Sequence, residues 1–108
     1  MSLPLPDAIA TFFAVSNGAD DALLAHCLAH DAAVRDEGRT HEGPEAIRAW
    51  LRDARRRYAY RVEPLEVSRQ GDSVSVMAEV AGDFPGSPVR LAHVFGLRGG
   101  RIASLEIG

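Results

Sequence analysis

Asp36 and His93 are the two residues of this 108-residue chain whose type and surroundings best suit proton chemistry. Asp36 closes an apolar run within Asp31-Ala32-Ala33-Val34-Arg35-Asp36-Glu37-Gly38. With the two-residue period of a strand, Ala32, Val34 and Asp36 share one face, and Ala33, Arg35 and Glu37 the other. The carboxylate is therefore expected to look inward. His93 sits in the middle of a second apolar row, Val89, Leu91, His93, Phe95 and Leu97. Polar groups aimed into apolar surroundings are what a lined pocket needs and what a plain core avoids. Burial raises a carboxyl's pKa toward the range of a proton-shuttling acid or base, and a nearby histidine could orient it or stabilise developing negative charge. Two plainer roles stay open: Asp36 as a cap of the turn at Gly38, and His93 as a core histidine bonded to a backbone carbonyl.

Aromatic residues are the expected walls of such a pocket. Phe84 and Phe95 fall on inward faces of their strands, Trp50 lies on a helix, and Tyr58 and Tyr60 could carry a hydroxyl inward or serve as core fillers with a wet tip. His26 and His30 have the i, i+4 spacing of a helical metal pair, but no third ligand and no HExxH context accompany them, so no metal site is expected. Arg52, Arg55, Arg56 and Arg57 read as a solvated last helical turn that complements the helix dipole. Cys27 lies on an apolar stripe with no base beside it. The chain has no Gly-rich phosphate loop, no GxSxG and no CxxC, which removes nucleotide binding, serine hydrolysis and thiol redox chemistry. A cofactor-free pocket is what remains.

The elements that must position these residues follow from periodicity. After Pro6, Ile9, Phe12, Phe13 and Ser16 recur at helical spacing until Asn17-Gly18. A second helix, capped by Asp20 or Asp21 and striped by Leu23, Leu24, Cys27 and Leu28, is expected to end near His30. The strand carrying Asp36 follows, then a polar turn over Gly38 to Gly43, then a third helix from Pro44 to about Tyr58 with Ile47, Trp50 or Leu51, Ala54 and Tyr58 on its buried side. From Tyr60 onward the period is two. A strand broken in phase at Pro64 implies a bulge, Gln70-Gly71-Asp72 a hairpin turn, and Arg98-Gly99-Gly100-Arg101 a second hairpin into Ile102 to Ile107. The pattern predicts a single α+β domain over residues 1–108, with three helices packed on one face of a strongly curved, mostly antiparallel sheet.

Composition sets the outer limits. Hydrophobic residues at 46% and charged residues at 25% are ordinary globular values, which excludes disorder and low complexity. A net charge of -3 argues against nucleic acid or an anionic membrane as partner, and no apolar window reaches the ~20 residues of a membrane span. A single cysteine and an N-terminus without a basic, apolar leader predict a cytoplasmic protein. Met77, Ala81, Ala92 and Val94 make the outer sheet face semi-apolar, which predicts a homodimer through that face.

The segment His30-Asp31-Ala32-Ala33-Val34-Arg35-Asp36, the helix start Gly43-Pro44-Glu45-Ala46-Ile47 and the closing Gly100-Arg101-Ile102 resemble the SnoaL-like branch of the nuclear transport factor 2-like superfamily, over nearly the whole chain. The resemblance implies a cone-shaped sheet closed by helices, an internal cavity for a small, largely apolar molecule, and often a homodimer. In its ketosteroid isomerase members the aspartate base falls at the position of Asp36, a second acid at that of His93, and a first-helix tyrosine at that of Phe12. Phe12 has no hydroxyl, a departure from that mechanism. Two functions stay open: a cofactor-free isomerase, cyclase, dehydratase or hydrolase using Asp36 with His93, or a ligand-binding or protein-interaction module without chemistry.

Overall fold

The computed structural model describes residues 3–108. Helix α1 (Asp7–Ser16) starts directly after Pro6, with Asp7 in its first turn where a negative charge complements the helix dipole. Its Ile9, Phe12, Phe13 and Ser16 are buried, as the spacing predicts. A 3-10 turn (Asp21–Leu23) capped by the Asp20 carboxylate leads into a single turn of helix α2 (Leu24–Cys27). The chain then becomes strand β1 (Leu28–Asp36), so the expected continuation of the second helix to His30 is incorrect. The cause is tertiary. Leu28 already pairs with Ile102, and Arg101 donates to the carbonyls of Ala25 and Leu28, which meets the acceptors a longer helix would have used. His26 and His30 therefore sit on different elements, both exposed.

The polar stretch after β1 also needs correction. The turn is only Glu37 and Gly38, at φ 52° and 75°, and Arg39–Glu42 forms edge strand β2, with Asp36 opposite Arg39. Two successive residues of positive φ make the tight turn whose twist matches the flanking strands. Helix α3 (Pro44–Arg57) follows Gly43, burying Ile47 and Leu51. The remaining strands are β3 (Tyr60–Gln70), β4 (Ser73–Gly82), β5 (Val89–Arg98) and β6 (Arg101–Ile107). Together they form one curved six-stranded sheet in the order β2-β1-β6-β5-β4-β3, in which β1 runs parallel to β6 and every other neighbour is antiparallel. The predicted irregularity at Pro64 is present as a register shift between Pro64 and Glu66.

Helices cover one face, and the space between is filled. Phe12, Phe13 and Phe95 interlock edge to face, with centroids 5.7 to 6.0 Å apart, above Val34, Val74, Val76 and Leu105. Arginines hold the helices in place rather than merely facing solvent. Arg48 and Arg52 both pair with Asp21, while Arg55 donates to the Ser16 carbonyl at 2.6 Å and lies over the Tyr60 ring. The Asn17 amide both donates to and accepts from the Val62 backbone, at 2.8 and 2.7 Å, mimicking one more strand on the edge of β3.

Gly82, opposite Tyr60, lies close against the backbone that enters β3. A Cβ there would lie 2.2 Å from the Ala59 carbonyl oxygen, a backbone atom that cannot rotate away. At Gly96 the nearest atom is the Ser104 hydroxyl, which can. We predict that Gly82→Ala destabilises the fold by about 1–3 kcal/mol, the usual scale of overpacking, and more than Gly96→Ala. Urea denaturation of both variants measures the difference; equal losses would contradict the close approach.

Candidate functional site

Asp36 and His93 lie in one row of the sheet. Asp36 is opposite Ile107 across the parallel β1–β6 pair, and Ile107 is opposite His93 across β6–β5. Residues directly opposite each other point to the same face, so both polar side chains belong to the helix-covered side, separated by two strand spacings, roughly 10 Å. Ile107 stands between them. No hydrogen bond or ion pair joins the two among the described residues.

Asp36 has other neighbours. Burial pushes its carboxyl up, and the Glu37 charge adds to this; the charge of His41 and the nearby Trp50 side chain oppose them. His41 lies opposite Val34 on β2, which places it on the same face as Asp36, and its ring stacks on the Trp50 indole with centroids 5.5 Å apart and planes 24° apart. None of the salt bridges among the described residues involves Asp36. The carboxylate thus sits half-buried at the rim of the sheet, beside an aromatic pair, and borders an open hollow of about 270 Å³ that wraps the sheet edge among Arg35, Glu37, Arg39, Thr40, Glu106 and Ile107 and that Trp50 and His41 do not line.

His93 is deeper, at 4% exposure. Its Nδ1 is 3.1 Å from the Leu91 carbonyl oxygen, and its ring leans on Phe13 with centroids 5.4 Å apart. Burial pushes its pKa down, and the bond to Leu91 partly offsets that.

The aromatic candidates divide into three places. Phe12 and Phe95, at 2% and 0% exposure, are packed core; Trp50 is the neighbour of Asp36; Tyr58 and Phe84 meet edge to face near the start of β3 and the end of β4, close to the half-buried Tyr60. A larger hollow of about 600 Å³ opens on the opposite sheet face, among Ala33, Arg35, Val94, Gly96, Ser104 and Glu106. Cys27 is buried and free, its thiol pushed up to about 11 by burial, which makes it inert as a nucleophile. Among the described residues no group of three or more metal-ligating side chains converges, and no helix is long and apolar enough to cross a membrane.

His41 is the member of this constellation that the sequence alone did not single out. The signal was available: a two-residue turn at Glu37-Gly38 places His41 opposite Val34 and so beside Asp36.

Comparison with known proteins gives the family. Residues 9–105 match the model of the SnoaL-like domain. A Sinorhizobium meliloti protein, provisionally described as a polyketide cyclase, is 43% identical over 96% of this chain and 95% of its own, with a TM-score of 0.92. A Catenulispora acidiphila protein with a ketosteroid isomerase-like fold, solved in complex with trimethylamine, is 24% identical over 95% of this chain and 85% of its own, with a TM-score of 0.82. An epoxide hydrolase of Mycobacterium tuberculosis, 19% identical over 94% of this chain and 79% of its own, superimposes with a TM-score of 0.77. No curated protein sequence matches the chain significantly. The cone-forming sheet and the covering helices agree with these relatives, and the chain belongs to the SnoaL-like domain family.

Proposed function

We propose that this protein binds a small, largely apolar molecule at the rim where Asp36, Trp50 and His41 meet, and moves a proton on it without a cofactor, as an isomerase, cyclase, dehydratase or hydrolase would. The observation that carries the reading is Asp36: an inward, half-buried carboxylate in no salt bridge among the described residues, beside an aromatic pair and bordering open space. A raised carboxyl pKa narrows the gap to working pH, which favours exchange of a proton with a carbon acid or a leaving oxygen. His93 would serve as the second polar contact, reaching the same ligand from two strands away rather than touching Asp36. The relative described as a polyketide cyclase fits such chemistry.

A second reading, a binding module without chemistry, has its own support. Phe12, Phe13 and Phe95 fill the space that an enclosed cavity would need, and the larger hollow is on the outer face. That outer face also supports a homodimer. Val94 is 40% exposed, Met77 and Ala92 are partly exposed, and paired charges of both signs, Arg35 with Glu106 and Arg90 with Glu79, suit a self-complementary twofold contact. The single buried thiol fits a reducing, cytoplasmic setting.

Proton abstraction can be read without knowing the product. In D2O the protein is expected to accelerate exchange of the α-hydrogens of cyclohexanone, and Asp36→Asn to lose about 100-fold of that acceleration, the usual scale of a missing general base. Binding of cyclohexanone without any exchange would favour the non-catalytic reading.

Stability should move the other way. A carboxyl whose folded pKa is raised contributes stability below its unfolded pKa near 3.8 and loses it as pH rises through the folded value, so at pH 7 the ionised group is a liability. Asp36→Asn is expected to keep or raise Tm at pH 7. For His93, whose folded pKa is lowered, stability is present above the ordinary value of 6.5 and is lost as pH falls below it, so His93→Phe should flatten the decline of Tm between pH 7 and 5.

Light scattering at micromolar concentration is expected to give a dimer that Val94→Glu converts to monomer; a wild-type monomer at all concentrations would exclude the outer-face contact.

A further inference from the structure

We propose that His93 presents an unprotonated Nε2 to the ligand, and so selects molecules carrying a hydrogen-bond donor, a hydroxyl or an N–H, on an otherwise apolar body. The inference rests on the rim reading above and names the chemistry that the buried end of the site would recognise.

The Leu91 carbonyl oxygen can only accept. A contact of 3.1 Å between it and Nδ1 is therefore a hydrogen bond in which Nδ1 carries the hydrogen. A neutral imidazole has a single N–H, so Nε2 is left with its lone pair; the charged form, with both nitrogens protonated, is disfavoured by the apolar surroundings of Phe13 and Phe95.

Nε2 also keeps a small exposure, although His93 lines neither of the two hollows. Among the described residues, every buried side-chain nitrogen or oxygen has a hydrogen-bond partner, and Nδ1 is the His93 atom that makes a hydrogen bond. An Nε2 sealed inside the core would be an orphan, so the 4% exposure of this residue must include that atom. The result is one small acceptor framed by two aromatic rings, tilted by 58° on one side and stacked within 20° on the other.

This polarity changes the role expected of the residue. An oxyanion needs a donor, and an Nε2 without hydrogen cannot be one. It accepts from a ligand hydroxyl or N–H, while Ile107 separates it from Asp36 and keeps the intervening surface apolar. A ligand that spans the row would thus be apolar in the middle, with its donor at the His93 end and its reacting atom at the Asp36 end.

Long-range proton–nitrogen NMR of the imidazole at pH 7 tests the first step. A protonated Nδ1 with an unprotonated Nε2 is expected; hydrogen on Nε2 would overturn the proposal while leaving the Asp36 reading intact. Cyclohexanol and methylcyclohexane, which exchange a hydroxyl for a methyl, test the second. The alcohol should bind roughly five- to tenfold more tightly, the worth of one net hydrogen bond, and should move the Nε2 resonance. His93→Phe should erase that preference, and His93→Gln, whose amide oxygen also accepts, should retain part of it. Equal affinity of wild type for the two probes overturns the selectivity. The expected tautomer with no response to either probe at His93, together with no cyclohexanone exchange dependent on Asp36, would overturn the rim reading and this inference with it.

Discussion

The parallel pairing of β1 with β6 is the constraint on which the rest depends. It joins the ninth residue of a strand near the N-terminus, Asp36, to the last residue of the final strand, Ile107, and so sets Asp36 in the same row as His93. A parallel neighbour requires a long crossover, here all of β2, α3 and the β3–β5 meander. That crossover is what carries α3, and with it Trp50, across the face toward which Asp36 points. A slip of one residue would turn Asp36 and Val34 outward and Arg35 inward. Val34, at 0% exposure between the helices and the sheet, holds the register against that slip.

The polar groups around this frame fall into two kinds. Asp21, Arg48, Arg52, Arg55 and Asn17 are matched to partners and fix helices to sheet. The opposing pKa directions follow the same division: Arg52 and Arg48 hold the Asp21 carboxyl below its ordinary value, whereas burial and Glu37 push that of Asp36 above. Among the described residues Asp36 forms no salt bridge although Arg39 stands opposite it, and a half-buried carboxylate left unpaired is a standing destabilisation that folding alone does not require. The deep ring of His93 differs again: its Nδ1 is used structurally, by Leu91, and its Nε2 is not.

Much of the fold was legible because it is written in local periodicity. The inward face of Asp36, the apolar row of His93, the phase break at Pro64 and the glycine hairpins all follow from side-chain alternation and turn chemistry. What was not legible is non-local. Leu28 leaves the helical state because Ile102 and Arg101 wait for it from the far end of the chain. Arg39–Glu42 carries no alternating apolar pattern because an edge strand facing solvent needs none. The arginines of α3 read as a solvated turn, since the partners that engage them, Asp21 and the Ser16 carbonyl, are set by packing. The candidate site shows the same split: Asp36 and His93 could be picked out by residue type and face, whereas their separation by Ile107 and the nearness of His41 and Trp50 to Asp36 are products of register and helix placement.

Carbon-detected NMR titration of the Asp36 carboxyl, without and with cyclohexanone, tests most directly whether this residue is a ligand-facing acid–base group. The predicted result is a midpoint above the ordinary aspartate value of about 3.9, displaced further when the ketone binds. A midpoint at the ordinary value, unmoved by the ketone, would contradict it and leave Asp36 as the cap of a turn.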